Sequence, residues 1–303
     1  MKGFFCGTAV ALVTPFYKKE INEERLKQLI ARQIQSGTDA LLLLGTTGEP
    51  ASLTEKEKRK IMQISRSARD EFSPKNVDGT PLVKLIFGCG SNDTKTARNN
   101  ARIAEEHGAD GLLAVTPYYN KCTQAGLIAH YEAIADAISC PVICYNVPSR
   151  TGLDLKLETC QALAKHPNIQ GVKEAGGSPA KIAKIIERCG DDFFVWSGND
   201  DEAVTAMALG AKGLISVLSN VRPKKTLAML RACQKNDFRT AGRLQRELME
   251  LIGALFCEVN PIPVKKALEL EGFPAGLPRL PLTDLSEEKL PILKAALAAT
   301  PDA

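Results

Sequence analysis

The segment Ser36-Gly37-Thr38-Asp39-Ala40-Leu41-Leu42-Leu43-Leu44 decides the fold class, because its pattern returns three more times along the chain. In each copy a helical stretch ends at a glycine, one or two small or polar residues follow, and an apolar strand begins. The other copies start at His107, Cys189 and Leu209. A glycine just past a helix end supplies the left-handed conformation that turns the chain into the next element. The repetition predicts an alternating α/β array.

Short apolar segments between the helical ones are the candidate strands. Parallel strands with intervening helices predict a (β/α)8 TIM barrel of the α/β class. A doubly wound open sheet is the alternative, but it would carry a phosphate-binding glycine loop after its first strand. That position reads Thr14-Pro15-Phe16. The predicted strands are 7–13, 40–44, 82–87, 111–115, 141–145, 169–173, 193–197 and 213–217.

The alternation of strand and helix stops near residue 235. Helical segments then follow without strands, at about 237–257, 263–271 and 286–299, and prolines separate them. Because a (β/α)8 barrel takes ~250 residues as one unit, we expect a catalytic barrel over residues 1–235. Residues 236–303 are expected to form a small C-terminal helical domain.

Charge and cysteine usage limit the possible partners and compartments. The net charge is +4, and the charges are interspersed, so we expect no nucleic-acid or membrane-surface partner. No apolar run approaches the ~20 residues of a membrane span. The apolar N-terminus lacks a small-residue cleavage pattern and is expected to be the first strand. Nine cysteines without Cys-x-x-Cys spacing indicate reduced thiols and a cytoplasmic location.

Metal and nucleotide chemistry find no support in the motifs. The three histidines, His107, His130 and His166, fall in or at the ends of predicted helices, and none pairs at metal-ligand spacing. Gly88-Cys89-Gly90 lacks the third glycine of a dinucleotide loop. We therefore expect no metal site.

The active site of such a barrel lies at the carboxyl ends of its strands, and the sixth strand ends in Lys173-Glu174. A lysine desolvated in a barrel mouth has a depressed pKa and is partly a free amine. Such an amine condenses with a ketone to an imine, which acidifies the adjacent carbon. The alternative is a lysine whose head group simply reaches solvent. At the end of this buried strand we favour the catalytic interpretation.

Hydroxyl groups follow other strands. Tyr145 and Tyr119 can relay the protons that imine formation needs, although packing is the commoner fate of a tyrosine. Strand alternation points Tyr145 inward. Thr46 and Thr47 can extend the relay or bind a carboxylate, or they can form an ordinary turn between glycines. Arg150 suits a second carboxylate and could equally be a surface arginine.

These residues lie within motifs that cover nearly the whole chain in order. Together the motifs resemble those of the dihydrodipicolinate synthase family of pyruvate-dependent class I aldolases, which includes N-acetylneuraminate lyase. The motifs are Gly45-Thr46-Thr47-Gly48-Glu49, Thr116-Pro117-Tyr118-Tyr119-Asn120, Tyr145-Asn146-Val147-Pro148-Ser149-Arg150-Thr151-Gly152, Gly171-Val172-Lys173-Glu174-Ala175 and Asn260-Pro261-Ile262-Pro263-Val264-Lys265.

The resemblance implies that Lys173 is the Schiff-base lysine and carries pyruvate as a covalent imine, with no other cofactor. It implies that Thr46, Tyr145 and Tyr119 relay protons, with Tyr119 reaching across from a neighbouring subunit. A homotetramer built as a dimer of dimers is therefore expected.

Four further positions match residues that bind substrate in the family. Thr47 resembles the pyruvate-carboxylate binder and Arg150 the binder of the aldehyde's carboxylate, while Gly198 and Ile215 resemble positions that line the site. The implied reaction condenses pyruvate with L-aspartate 4-semialdehyde, towards diaminopimelate and lysine.

Two features favour the synthase over the neuraminate-lyase branch. Neuraminate lyases typically have Gly-Ser-Thr-Gly in place of Gly45-Thr46-Thr47-Gly48 and a non-basic residue in place of Arg150. The remaining alternatives are a related pyruvate aldolase acting on another aldehyde, such as a sugar acid or an aromatic aldehyde, and a non-catalytic keto-acid sensor. A sensor would not need the amine and its relay.

Lysine-sensitive family members bind lysine in a pocket at the dimer interface. Here Thr96 stands in place of a glutamate that would face the ligand's ammonium group, and Lys58 adds a like charge. We therefore predict weak or absent inhibition by lysine. The matching positions are Ala51, Asn92 and Tyr118, and the departing ones are Glu55, Lys58 and Thr96.

Overall fold

The computed structural model describes residues 4–302 and contains a closed barrel of eight parallel strands. The first strand pairs with the last, from Gly7 opposite Gly213 to Val10 opposite Ser216. This closure confirms the predicted barrel and excludes the open sheet. The strands are β1 (Gly7–Ala11), β2 (Ala40–Leu43), β3 (Lys84–Gly88), β4 (Gly111–Val115), β5 (Val142–Asn146), β6 (Ile169–Glu174), β7 (Phe194–Ser197) and β8 (Gly213–Ser216).

Helices follow the strands around the outside of the barrel, and a short hairpin of Phe16–Tyr17 with Glu20–Ile21 follows β1. The helices are α1 (Glu23–Gln35), α2 (Glu55–Phe72), α3 (Thr94–Glu106), α4 (Gln124–Ala135), α5 (Pro148–Thr151), α6 (Leu157–Leu163), α7 (Pro179–Cys189), α8 (Ala203–Ala208) and α9 (Pro223–Gln234).

The glycines that follow the helices of the repeated motif all have positive φ, as predicted, although Gly190 combines it with an extended ψ of 176° and not with the left-handed helical conformation. Their φ angles are +92° at Gly37, +84° at Gly108, +81° at Gly190 and +103° at Gly210. An L-residue with a side chain pays a steric penalty in this region. These four turns therefore return the chain from a helix to the next strand.

The core has two layers, because alternate strand residues face opposite sides of the sheet. Tyr145 and Ile143 pack inside the barrel with Trp196, whereas Cys144 packs outward in the layer between strands and helices. The indole of Trp196 stacks on Phe5 with 5.1 Å between ring centroids. The barrel interior is thus a packed core, and open space is left at the carboxyl ends of the strands.

Three more helices complete the chain: α10 (Phe238–Leu255), α11 (Ile262–Leu270) and α12 (Leu290–Ala299). They confirm the predicted strand-free helical segments, although α12 begins four residues later than the predicted 286 because Pro291 occupies its first turn. The domain boundary at residue 235 stays a prediction.

Arg222 ties the C-terminal segment to the barrel. Its guanidinium group is buried and donates to the Leu297 carbonyl (2.9 Å) and to a Glu271 carboxylate oxygen (2.9 Å).

All nine cysteines lie within the described residues and are free thiols. Burial is the largest cause that raises the pKa of each, to about 12 for Cys89. The cytoplasmic location stays a prediction. Within residues 4–302 no helix is long and apolar enough to cross a membrane. Over the same range no group of three or more His, Cys, Asp or Glu side chains is placed to hold a metal ion.

Candidate active site

The carboxyl ends of the strands surround a cavity of about 210 Å³. Its charged lining residues are Lys173 and Arg150, and no acidic side chain within residues 4–302 lines it. The cavity therefore suits substrates that carry carboxylates. The cavity is lined by Ala11, Leu42, Thr46, Thr47, Tyr145, Val147, Ser149, Arg150, Lys173, Ala175, Gly198, Asn199, Val217, Phe256 and Asn260.

Lys173 extends from β6 into this cavity and is 6% exposed. Its Cα is the register partner of Tyr145 on β5, and its Nζ lies 4.2 Å from the centroid of the Tyr145 ring. Gly198, just after β7, leaves room for the lysine, because a Cβ at that position would lie 2.8 Å from Lys173 Cε. The amine is therefore held between a tyrosine ring and a bare stretch of backbone.

The turn after β2 presents both threonines. Thr46–Gly48 forms a single 3-10 turn between Leu44 and Glu49, whose φ angles are +57° and +56°. Left-handed backbone at two non-glycine residues costs of order 1–2 kcal/mol each. Such strain persists only where surrounding contacts hold the turn. Those contacts therefore fix the two threonines in one geometry beside the cavity.

A buried ion pair supports this turn from behind. Lys265 Nζ on α11 lies 2.6 Å from Glu49 Oε1, with both side chains 2% exposed. The second Glu49 oxygen accepts from the Arg279 backbone N–H at 2.9 Å. Burial lowers the pKa of Lys265 to about 8, although Glu49 opposes the shift. The C-terminal helices therefore hold the turn that carries Thr46 and Thr47.

Asn260 is a site residue that the analysis of single strand ends missed. Its Nδ2 donates to Thr47 Oγ1 at 3.0 Å, and its Oδ1 is buried without a protein partner. A buried amide oxygen without a partner is costly, which is consistent with a group that bonds to substrate. The sequence signal for Asn260 is the Asn260–Lys265 motif, which matches the family without indicating a role.

Asp200 fixes the ends of β7 and β8. Its buried carboxylate accepts from Ser216 Oγ (2.5 Å) and from the backbone N–H groups of Val217 (3.0 Å) and Leu218 (3.1 Å). Burial raises the pKa of Asp200, whereas these hydrogen bonds and the charge of Lys173 oppose the rise. The contacts place Val217 in the cavity wall.

Arg150 lies on α5, a single helical turn that begins at Pro148 directly after β5. The side chain is exposed and lines the cavity mouth. The residue could not be distinguished from a surface arginine by sequence alone, and its position at the mouth is consistent with binding an incoming anion.

Two predicted site residues lie elsewhere. Ile215 is fully buried in the barrel interior and does not line the cavity. Val217, the residue just after β8, lines the cavity instead. Tyr119 is 90% exposed and has a φ of +70°. Within the single chain it does not line the cavity that contains Lys173.

The predicted effector residues are only partly brought together. Glu55 and Lys58 line a cavity of about 90 Å³ that also borders Thr46 and Tyr145. Ala51, Thr96 and Tyr118 are exposed and Asn92 is half-buried, and these four do not line it.

Fold and site together define a (β/α)8 barrel of the class that can hold a carbonyl substrate as an imine on a buried lysine amine. The chain belongs to the dihydrodipicolinate synthetase family, whose model matches residues 4–300. The family predicted from the motifs is thereby confirmed.

Similar proteins cover the chain almost from end to end. It is 45% identical to the 4-hydroxy-tetrahydrodipicolinate synthase of Caldicellulosiruptor bescii over 294 residues, which cover 97% of this chain and 96% of the relative. The corresponding enzyme of Acetivibrio thermocellus is 42% identical over 98% of this chain and 97% of its own length. The solved dihydrodipicolinate synthase of Aquifex aeolicus superposes with a TM-score of 0.92 at 40% identity, covering 97% of both chains.

Proposed function

We propose that this chain condenses pyruvate with L-aspartate 4-semialdehyde to 4-hydroxy-tetrahydrodipicolinate, a step towards diaminopimelate and lysine. The observation that carries the proposal is the cavity in which the buried Lys173 amine, the Thr46, Thr47 and Tyr145 side chains and the Arg150 guanidinium group converge. The names of the relatives support the same reaction.

The first half of the reaction builds the imine. The free amine of Lys173 attacks the C2 carbonyl of pyruvate and forms a carbinolamine, and loss of water gives a protonated imine. Thr46 and Tyr145 line the same cavity as the amine and can carry the protons that these steps move. We propose that Thr47 donates to the pyruvate carboxylate.

The second half forms the new carbon–carbon bond. The imine acidifies the pyruvate methyl group, and loss of a proton gives an enamine whose carbon attacks the aldehyde. Arg150 at the mouth can hold the aldehyde substrate's carboxylate by two parallel hydrogen bonds. The substrate's own amino group then attacks the imine carbon, closes a six-membered ring and releases the Lys173 amine, so that one water is lost overall. Because the imine is the electron sink, we propose that no cofactor or metal takes part.

The assembly is part of the proposal. Tyr119 is exposed in the single chain, and the resemblance assigns it to the relay of a neighbouring subunit, so we propose a homotetramer made of two tight dimers. One structurally similar protein is described as a monomeric dihydrodipicolinate synthase variant. Sedimentation of the purified protein measures the assembly, and a monomer would overturn this part of the proposal.

The test is a coupled assay with pyruvate and L-aspartate 4-semialdehyde, in which added dihydrodipicolinate reductase oxidises NADPH. We expect turnover that falls at least ~10³-fold in Lys173→Ala, because the covalent step is lost. Borohydride should trap pyruvate on Lys173 of the unaltered protein. Trapping without turnover would overturn the choice of aldehyde and keep the imine, whereas an active Lys173→Ala would overturn the mechanism.

Weak or absent inhibition by lysine stays a prediction. Thr96 Oγ1 donates to Asp93 Oδ2 at 2.6 Å in the helix cap of α3, and Glu55 pairs with Arg59 at 2.7 Å. Neither group is therefore free to bind an ammonium ion at no cost. Titrating lysine into the coupled assay should leave the rate nearly unchanged at concentrations up to ~1 mM, and half-inhibition at micromolar lysine would contradict this.

A further inference from the structure

The residues next to the two central site residues form a buried polar pair. Tyr145 and Lys173 face into the barrel, and the residues that follow them, Asn146 and Glu174, are also register partners. Asn146 Nδ2 lies 3.0 Å and 2.9 Å from the two Glu174 carboxylate oxygens. This bond joins β5 and β6 at the level where those strands present the amine and the phenol.

The Glu174 carboxylate is surrounded by donors. Besides Asn146 Nδ2, it receives the backbone N–H of Gly176 at 2.6 Å and lies 3.2 Å from Lys181 Nζ. Its side chain is 1% exposed. Since a carboxylate only accepts hydrogen bonds when ionised and an amide also donates them, glutamine at 174 would set a donor against other donors.

A second branch leads to the segment just after the turn that carries Arg150. Asn146 Nδ2 also donates to Asp154 Oδ1 at 2.8 Å, and its own Oδ1 accepts from the Leu155 N–H at 2.9 Å. Lys181 Nζ lies 2.5 Å from the same Asp154 oxygen. The two strand ends and residues 154–155, which follow α5, therefore share one network centred on Asn146.

Burying a charge is expensive, and an apolar pair of similar size would hold two strands together at no greater cost. Burial raises the pKa of Glu174, whereas Lys181 and Asn146 oppose the rise, so the carboxylate depends on its partners. We propose that Glu174 and Asn146 are positioning residues that hold the Lys173 amine against the Tyr145 ring. Asp154 in turn holds the turn that carries Arg150 in a fixed position relative to these two strand ends. This inference rests on the proposed function, because it takes Lys173 as the amine that forms the imine.

The first experiment measures the rate of borohydride-trapped imine formation with pyruvate alone. Glu174→Gln and Asn146→Asp should each slow it by about tenfold to hundredfold, as misplacement of a reacting group does. The loss should lie in the maximal trapping rate at saturating pyruvate, with the pyruvate concentration for half-maximal rate changed less than twofold, because the amine is misplaced while Thr47 is not. Lys184→Gln, an exposed lysine on the same helix α7, is the matched control and should be unchanged.

A maximal rate within twofold in Glu174→Gln, or a loss that appears only in the half-saturating pyruvate concentration of an equally folded variant, would overturn the positioning role. Failure of the unaltered protein to form the imine would instead overturn the proposed function. Circular dichroism and melting temperature measure folding separately.

The second experiment does not depend on those buried sites. The Asp154 side chain is 49% exposed, so Asp154→Ala should fold. We expect a rise of about fivefold or more in the KM for the aldehyde and an imine rate within twofold of the unaltered protein. Glu158→Ala, exposed on α6, is the control. Equal changes in both parameters, or no change in either, would overturn the proposed link to the Arg150 turn.

Discussion

At the scale of single residues, Lys173 depends on the space beside it. A Cβ at residue 198 would lie 2.8 Å from Lys173 Cε and 2.7 Å from Ala175 Cβ, both closer than a normal contact. Gly198→Ala should therefore displace the lysine and slow imine formation by about tenfold to hundredfold. The measurement is the rate of borohydride trapping at saturating pyruvate.

Gly242→Ala is the matched control for this substitution. A Cβ there meets only Arg246 Nη1, at 3.6 Å, which is an ordinary contact. Since alanine is also the better helix former, the control should keep its activity and gain up to about 1 kcal/mol of stability. An unchanged trapping rate in Gly198→Ala would show that the lysine moves aside without loss.

The sequence predicted the residues that follow a strand directly, and it missed those brought in by distant contacts. Lys173, Tyr145 and Arg150 were found because the carboxyl end of each parallel strand must lie on the active face. Asn260 bonds to Thr47 across 213 residues of sequence. No local periodicity encodes that approach, because it depends on how α11 packs over the barrel.

At the scale of elements, hydrophobic periodicity located the strands because each buried strand is short and bounded by turn residues. The 3-10 turn of Thr46–Gly48 was predicted only as a turn between glycines. Its flanks at Leu44 and Glu49 are left-handed, and Glu49 is paired with Lys265 of the distant helix α11. Propensity could not supply them, since neither residue favours that conformation.

The link between α11 and this turn gives a pH-dependent stability. The pKa of Lys265 is about 8 in the folded chain against an ordinary 10.5. Between those two pKa values the unfolded state binds more protons than the folded state, so Lys265 makes the free energy of unfolding rise with pH. The destabilisation caused by burying the protonated lysine is fully present below pH 8. The contribution is roughly 3 kcal/mol across the window.

The measurement compares urea unfolding of the unaltered protein and a Glu49→Gln/Lys265→Met double variant, at fixed protein concentration from pH 7 to 10.5. The free energy of unfolding of the unaltered protein, minus that of the double variant, should increase as pH rises. Lys266→Met, whose neighbours raise the pKa of the lysine it removes, should not abolish the rise. A pH-independent difference would contradict a lowered pKa at Lys265.

At the scale of the whole molecule, the barrel fixes which side chains meet, but a single chain leaves the predicted relay incomplete. Thr46 and Tyr145 line the cavity, whereas Tyr119 is 90% exposed and held in a left-handed backbone conformation. Such a residue is expected to be covered in the working assembly. The interface itself could not be predicted from one sequence, because it depends on the fit between two folded surfaces.

Subunit mixing tests whether Tyr119 acts in a neighbouring subunit. Lys173→Ala and Tyr119→Phe should each be nearly inactive alone, for lack of the amine and of the relay hydroxyl. In a mixed dimer, the subunit with an intact Lys173 receives an intact Tyr119 from its partner, and one of its two sites works. Random pairing makes half of the dimers mixed, so co-expression with separate tags should restore about a quarter of the unaltered activity, as an isologous dimer requires.

The matched control is co-expression of Lys173→Ala with Tyr145→Phe. Both residues line the same cavity of one chain, so a mixed dimer gains no complete site and should stay inactive. If the Tyr119 pair also fails to recover while sedimentation shows mixed dimers, Tyr119 acts within its own chain or not at all. Recovery in the Tyr119 pair alone would show that the catalytic unit is the dimer, which a single barrel cannot replace however well its own cavity is formed.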